Sequence, residues 1–200
     1  MKNDTSRLTL LNIGYAVHHA DWNYKHVNSP FARIYLVKEG KAKVNFYDRI
    51  HELTPDHLYI IPPFTLHSYE CDSYFALYYI HIYENQFSEH RILEDYFFPS
   101  EISSSPLLNI LVEQLFQINP ERELSKYDPK EYDNSDTLMK TVSFHLRNSF
   151  NVMLETEGIL MQLLSHFFRD ASPKFPTMKN RINKTCRRQT SACFKYGPKF

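Results

Sequence analysis

Polar and apolar positions alternate along the first hundred residues and then recur at helical spacing, and that change divides the chain. Residues 31–37 (FARIYLV) place Phe31, Arg33, Tyr35 and Val37 on one face of a strand, and Ala32, Ile34 and Leu36 on the other. Glu39-Gly40 reads as a turn, with Gly40 available for positive φ. Residues 42–47 alternate Ala42, Val44 and Phe46 with Lys43, Asn45 and Tyr47, the pattern of a half-exposed strand. Residues 50–53 form another short strand, and Thr54-Pro55-Asp56 turns the chain again. Leu58 to Ile61 is an apolar run that fits a buried strand. Pro62-Pro63 ends it, because each proline lacks an N–H and fixes φ. Beyond that corner His67 and Tyr69 sit two apart, so on a strand both side chains point the same way. Residues 74–83 are the longest strand candidate, with Phe75, Leu77, Tyr79, His81 and Tyr83 against Tyr74, Ala76, Tyr78, Ile80 and Ile82. Alternation alone leaves open which of these faces is interior. Upstream, residues 1–30 read as an arm and one or two strands, with Leu8, Leu10 and Ile13 as anchors and Trp22 and Tyr24 around Asn23. Several short strands separated by turns predict a sandwich or a small barrel.

Past residue 100 the period lengthens. Ser103–Ser105 followed by Pro106 marks a helix start, since proline in the first turn gives up a donor that has no partner there. Leu107, Leu108, Leu111, Leu115 and Phe116 follow at helical spacing until Asn119-Pro120. Residues 120–133 (PERELSKYDPKEYD) read as a polar loop. A second helix opens near Asn134–Asp136 and carries Leu138, Val142, His145 and Leu146. A third spans about 151–170, and its second half is apolar around too much of its circumference for one packing surface. That predicts one side on the barrel and another on a partner helix, hence a homodimer through the C-terminal helices. The domain reading is 1–100 for the barrel with its arm, 101–170 for the helical segment, and 171–200 for a basic, disordered tail.

Charge sharpens that division. The whole chain balances 23 Lys and Arg against 23 Asp and Glu. All the imbalance is local, because residues 171–200 hold eight basic and no acidic residues, leaving residues 1–170 with a net charge of −8. An acidic body argues against broad nucleic-acid binding by that part. No stretch has the length of a membrane span or the pattern of a signal peptide, and three scattered cysteines are no disulfide framework, which together predict a cytoplasmic protein.

Candidate chemistry concentrates on aromatic and histidine side chains. No H-x-H pair accompanies His67, and adjacent His18 and His19 cannot both face one ion from a strand, so no metal or other cofactor is expected. No G-x-S-x-G elbow or phosphate-binding loop occurs, and Thr65, the hydroxyl nearest the diproline corner, has no flanking glycine. Cys71 lies between Glu70 and Asp72, which oppose thiolate formation. Arg33 and Tyr35 on one strand, His67 and Tyr69 on another, and Tyr79 and His81 on a third are the candidate ligand-binding set. Aromatic faces with convergent polar groups suit a sugar or another small polar ligand. The same six residues would equally serve as a barrel core whose phenols and imidazoles satisfy one another.

The runs FARIYLVKEGKAKV, HELTPDHLYIIPPFTLHSYECD and YYIHIY resemble the N-terminal sensing domain of AraC-type transcription regulators. Leu53, Pro55, His57 to Ile61, Pro62, Pro63, His67 and Tyr69 fall on the family pattern, and Asp56 stands where a glycine is usual. The resemblance covers about residues 20–170. It implies an α+β fold, a cupin-like (jelly-roll) barrel followed by an antiparallel helical dimerisation segment, which binds a small effector, often a sugar. It also implies His67, Tyr69, Tyr79 and His81 as pocket residues. Members of that family continue into two helix-turn-helix motifs, and residues 171–200 resemble neither these nor their linker. The expectation is therefore a truncated or frame-shifted regulator that does not bind DNA specifically on its own and has no enzymatic activity. The alternative is a cupin-fold enzyme such as a sugar isomerase or dioxygenase.

Overall fold

The computed structural model describes residues 8–85, 91–145 and 148–174. The chain forms strands β1 (Leu8–His19), β2 (Ala32–Gly40), β3 (Ala42–Asn45), β4 (Ile50–Leu53), β5 (His57–Ile61), β6 (Ser68–Glu70) and β7 (Tyr74–Glu84). A short helix α1 (Ile92–Asp95) and strands β8 (Tyr96–Phe97) and β9 (Glu101–Ser103) follow. Then come helix α2 (Pro106–Ile118), a 3-10 turn at Pro120–Arg122, α3 (Pro129–Tyr132), α4 (Ser135–His145), α5 (Phe150–Phe167) and β10 (Ser172–Pro173).

Two antiparallel sheets face each other. One has the order β1-β7-β2-β5-β9 and the other β4-β3-β6. Consecutive strands β2 and β3 therefore belong to different sheets, and Gly40 makes the crossing at φ 71°. Its close approach to the Tyr74 carbonyl leaves no room for a side chain. Asp56 makes the turn before β5 at φ 62°, so aspartate here adopts the left-handed conformation for which a glycine is usual.

The larger sheet is buried on both sides, which is why its strands read as nearly continuous apolar runs. Phe75, Leu77 and Tyr79 of β7 and Tyr35 and Val37 of β2 pack in one cluster with Val44 and Tyr69 of the second sheet. Ile80 and Ile82 of the same strand join Leu10, Ile34, Leu58 and Ile60 on the opposite face. Helices α2 and α5 cover that face with Leu108, Leu111, Val112 and Leu115, and with Ile159, Leu160, Leu163, Leu164 and Phe167. Side chains of this kind contribute about 2 kcal/mol each when buried. Ser105 caps α2 by accepting from the Leu108 N–H, and Pro106 occupies its first turn, as the sequence predicts. Buried Asn119 at the end of α2 donates to the Thr156 hydroxyl (3.0 Å), tying the helix to α5.

Two expectations change. Ser172 and Pro173 still pair with Phe97 and Tyr96, so the first residues of the presumed tail belong to the fold. The rest of that tail (175–200), the first seven residues of the arm, and Leu146 lie outside the described residues. The stretch 120–133, expected as a polar loop, instead carries the 3-10 turn and α3. Its Leu124, Tyr127 and Tyr132 line the mouth between the sheets, while its charged residues other than Arg122 and Asp133 point largely outward.

Candidate ligand-binding site

All six sequence-predicted site residues lie inside the barrel, each no more than 4 % exposed. The antiparallel register explains the convergence. β2 and β7 set Arg33 opposite His81 and Tyr35 opposite Tyr79, and β2 and β5 set Tyr35 opposite Tyr59. His67 joins from the diproline corner, bridged to Val27 through a reciprocal pair of backbone hydrogen bonds.

A hydrogen-bond chain crosses the interior. His67 Nδ1 lies 2.7 Å from the Thr65 carbonyl, which can only accept, so Nδ1 carries the proton. Nε2 is then an acceptor, 2.7 Å from the Tyr69 hydroxyl, and Tyr69 in turn accepts from Tyr35 at 2.6 Å. Burial pushes His67 down to about 4 and raises both phenols above their ordinary values. Trp22 stacks on Tyr69 with centroids 4.0 Å apart and closes one side of the group.

Within electrostatic reach of that chain is Arg33, 1 % exposed. Its Nη1 donates to the Ser29 hydroxyl, which donates to Asp133. Its Nη2 reaches the Tyr132 hydroxyl at 3.5 Å and Asp133 Oδ2 at 3.4 Å. Arg33 Nε and His81 Nδ1, both buried, have no hydrogen-bond partner among the described residues. Phe31 lies under the guanidinium (4.7 Å), and Tyr132 stacks on the His81 ring (5.3 Å). Burial, and after it the positive charge of Arg33, hold His81 well below the ordinary imidazole range.

The segment that closes the mouth is fastened by the same interior. Tyr79 Oη accepts from the Leu124 N–H at 2.8 Å, and Tyr127 packs edge-on against His18 and Tyr79. Tyr79 reaches that far because Gly14 lies opposite it, where a Cβ would overlap the phenol. What remains inside is a cavity of about 20 Å³, lined by Trp22, Tyr35, Tyr79, His81, Leu124, Tyr127 and Tyr132 among others. That is room for about one water. Outside the segment, between residues 23–28 and 128–133, lies an open cleft of about 670 Å³.

Sequence reasoning missed Trp22, Ser29, Tyr127, Tyr132 and Asp133. All five come from segments without strand or helix periodicity, and two tyrosines within the otherwise polar run 120–133 were the available signal. Cys71 is buried and donates to the Ser73 carbonyl, a structural role. Among the described residues no three His, Cys, Asp or Glu side chains converge as ion ligands, and the buried guanidinium beside His81 opposes a second cation there.

No curated protein matches the chain. Among solved structures, a cupin superfamily protein from Desulfitobacterium hafniense is 14 % identical over 42 % of this chain and 84 % of its own, with a TM-score of 0.34. A putative ethanolamine utilization protein from Salmonella typhimurium is 14 % identical over 42 % and 65 %, TM-score 0.33. A salicylate 1,2-dioxygenase from Pseudoaminobacter salicylatoxidans is 16 % identical over 38 % and 20 %, TM-score 0.33. At TM-scores below 0.5 these likenesses carry no argument. The family model of the AraC-like ligand binding domain matches residues 12–164, three-quarters of the chain. The chain is a cupin-like α+β domain and belongs to the AraC-like ligand-binding domain family.

Proposed function

We propose that the barrel interior is the effector site of a cytoplasmic, non-enzymatic sensing module, and that it takes a small polar molecule of about monosaccharide size. The observation that carries this reading is that Arg33, Tyr35, Tyr79 and His81 of the larger sheet and His67 and Tyr69 from the opposite side are all buried in the barrel interior, with two buried polar atoms left unpartnered. The non-enzymatic part of the reading is supported by the match to a ligand-binding domain family, and the buried Cys71 thiol, which donates to a backbone carbonyl, is not placed as a nucleophile. The test is a thermal-shift screen of monosaccharides and their acid, amide and deoxy derivatives. A ligand held by the native state alone raises the melting temperature, and at a hundred times its Kd the gain is about 2.7 kcal/mol. A screen in which nothing shifts the transition would sink the reading.

The same reading includes a homodimer through α2 and α5. Phe150, Leu154 and Met161 are exposed along one stripe of α5, Gly158 lies in that stripe with open space above it, and Leu107 and Ile110 are exposed on α2. Leu154→Glu combined with Met161→Glu is expected to weaken self-association about a hundredfold, read by sedimentation equilibrium. A wild-type chain that is already monomeric at micromolar concentration would remove the dimer from the proposal.

A further inference from the structure

The barrel is closed over a guanidinium that its own residues satisfy only in part. Arg33 presents five N–H donors in a fixed planar fork, a shape that matches the two oxygens of a carboxylate. Inside this barrel Nη1 is taken by Ser29. Nη2 is held at the outer limit of hydrogen bonding by Tyr132 and Asp133, and Nε is unpartnered. Asp133 therefore meets the fork through one oxygen and leaves the Nε–Nη2 edge unmatched. Burying a cation with an incomplete set of acceptors is costly, and such sites persist where something else completes them. The second orphan, His81 Nδ1, sits on the neighbouring strand directly across from Arg33 in the register.

Both groups that cover this edge belong to one element. Tyr132 lies flat on His81 and within reach of the guanidinium, and Asp133 follows it at the end of α3. Together they offer an aromatic plane and a carboxylate on a segment that has an open cleft on its outer side. They stand where an incoming molecule with the same two features would stand.

From this we infer that the effector is an organic acid with a planar or ring-shaped body, whose carboxylate engages Nε and Nη2 of Arg33 as a pair and displaces the Tyr132-Asp133 end of the closing segment. This rests on the reading of the barrel as an effector site and narrows it from small polar molecules to carboxylates. It also supplies a route outward. The displaced segment connects α2 to α4 and α5, and buried Arg122 within it donates to the Thr141 carbonyl of α4, so occupancy of the barrel is felt by the helices.

The experiment compares acids with matched neutral molecules on the full chain by calorimetric titration. D-glucuronate is paired with D-glucose, and benzoate with benzamide. Two proteins are used, the wild type and Asp133→Asn, which removes the competing charge while keeping the side-chain shape. The expected result is that an acid binds and its neutral partner does not, with at least tenfold tighter binding to Asp133→Asn. Neutral partners that bind as well as the acids, with no gain in Asp133→Asn, would overturn the carboxylate inference and leave the barrel standing as a site for polar molecules. If neither acids nor neutral partners bind either protein, the inference fails, and the effector-site reading loses its support with it.

Discussion

Lowering the pH from 7.5 to 4 is expected to cost this fold about 3 kcal/mol through His67 alone. The side chain is 3 % exposed, and both of its nitrogens are committed, Nδ1 as donor to Thr65 and Nε2 as acceptor from Tyr69. A second proton would set an N–H against a phenol that is already donating, in a place where burial penalises charge. The folded imidazole consequently titrates at about 4, against 6.5 when the chain is unfolded. Between those values the unfolded chain takes up a proton that the native one refuses. The stabilisation is whole above pH 6.5 and drains away as the pH falls toward 4. His18 and His81 shift in the same direction, His18 by burial that Asp21 partly offsets, His81 by burial and then by Arg33, so the total loss exceeds that of His67. Urea unfolding at a series of pH values checks this, with His67→Gln as the comparison, because it offers an amide in place of the ring and does not titrate. The wild type should lose about 3 kcal/mol more than the variant between pH 6.5 and 4. Parallel stability curves would show that His67 is not held neutral by the fold.

The elements that were legible from the sequence are those with one clear period. Helix α2 matched from its Ser-Pro start to its Asn-Pro stop, β5 and β7 matched within a residue at each end, and β2 runs on through the expected Glu39-Gly40 turn, three residues past the expected end. The interior face of β7 was not legible, because both faces are apolar. Phe75, Leu77 and Tyr79 pack into the barrel while Ile80 and Ile82 pack under the helices, and no polar face remains to mark solvent. Strand β1 was blurred for a related reason. A register shift between Leu10 and Asn12 breaks its alternation, and Gly14 interrupts it where Tyr79 needs space. The ligand-binding set was half legible. Each pair, Arg33 with Tyr35, His67 with Tyr69 and Tyr79 with His81, follows from the two-residue period, but their meeting depends on strand register, which pairs Arg33 with His81, 48 residues further along the chain. The closing segment escaped altogether, since a charged run with two tyrosines looks like a solvated loop until Arg33 is found beneath it.

Replacing Arg33 with methionine is expected to destabilise the fold by about 2–3 kcal/mol, and Arg33→Met together with Asp133→Leu by much less. The single substitution strands the Asp133 carboxylate, 9 % exposed, against Ser29 without the guanidinium that pairs with it. Removing one partner of a buried pair leaves an uncompensated charge, whereas replacing both with apolar side chains of similar size removes the problem. Losing the Arg33 contact also frees the Asp133 end of α3, which borders the open outer cleft, so Arg33→Met should hasten proteolysis within residues 120–133. Denaturant unfolding of the two single variants and the double variant yields the coupling energy between Arg33 and Asp133. If the losses simply add, the two groups are not coupled and the segment is held by its other contacts, among them Tyr79 with Leu124 and Tyr132 on His81. A coupling of 2–3 kcal/mol bears directly on sensing, because it is free energy that any effector must recover before the segment yields. At about 1.4 kcal/mol per factor of ten, it lowers the apparent affinity roughly a hundredfold relative to an open barrel. Neutralising Asp133 alone removes the charge and keeps the aromatic cover. It should therefore return part of that factor, and the rest should appear only when Tyr132 is also displaced.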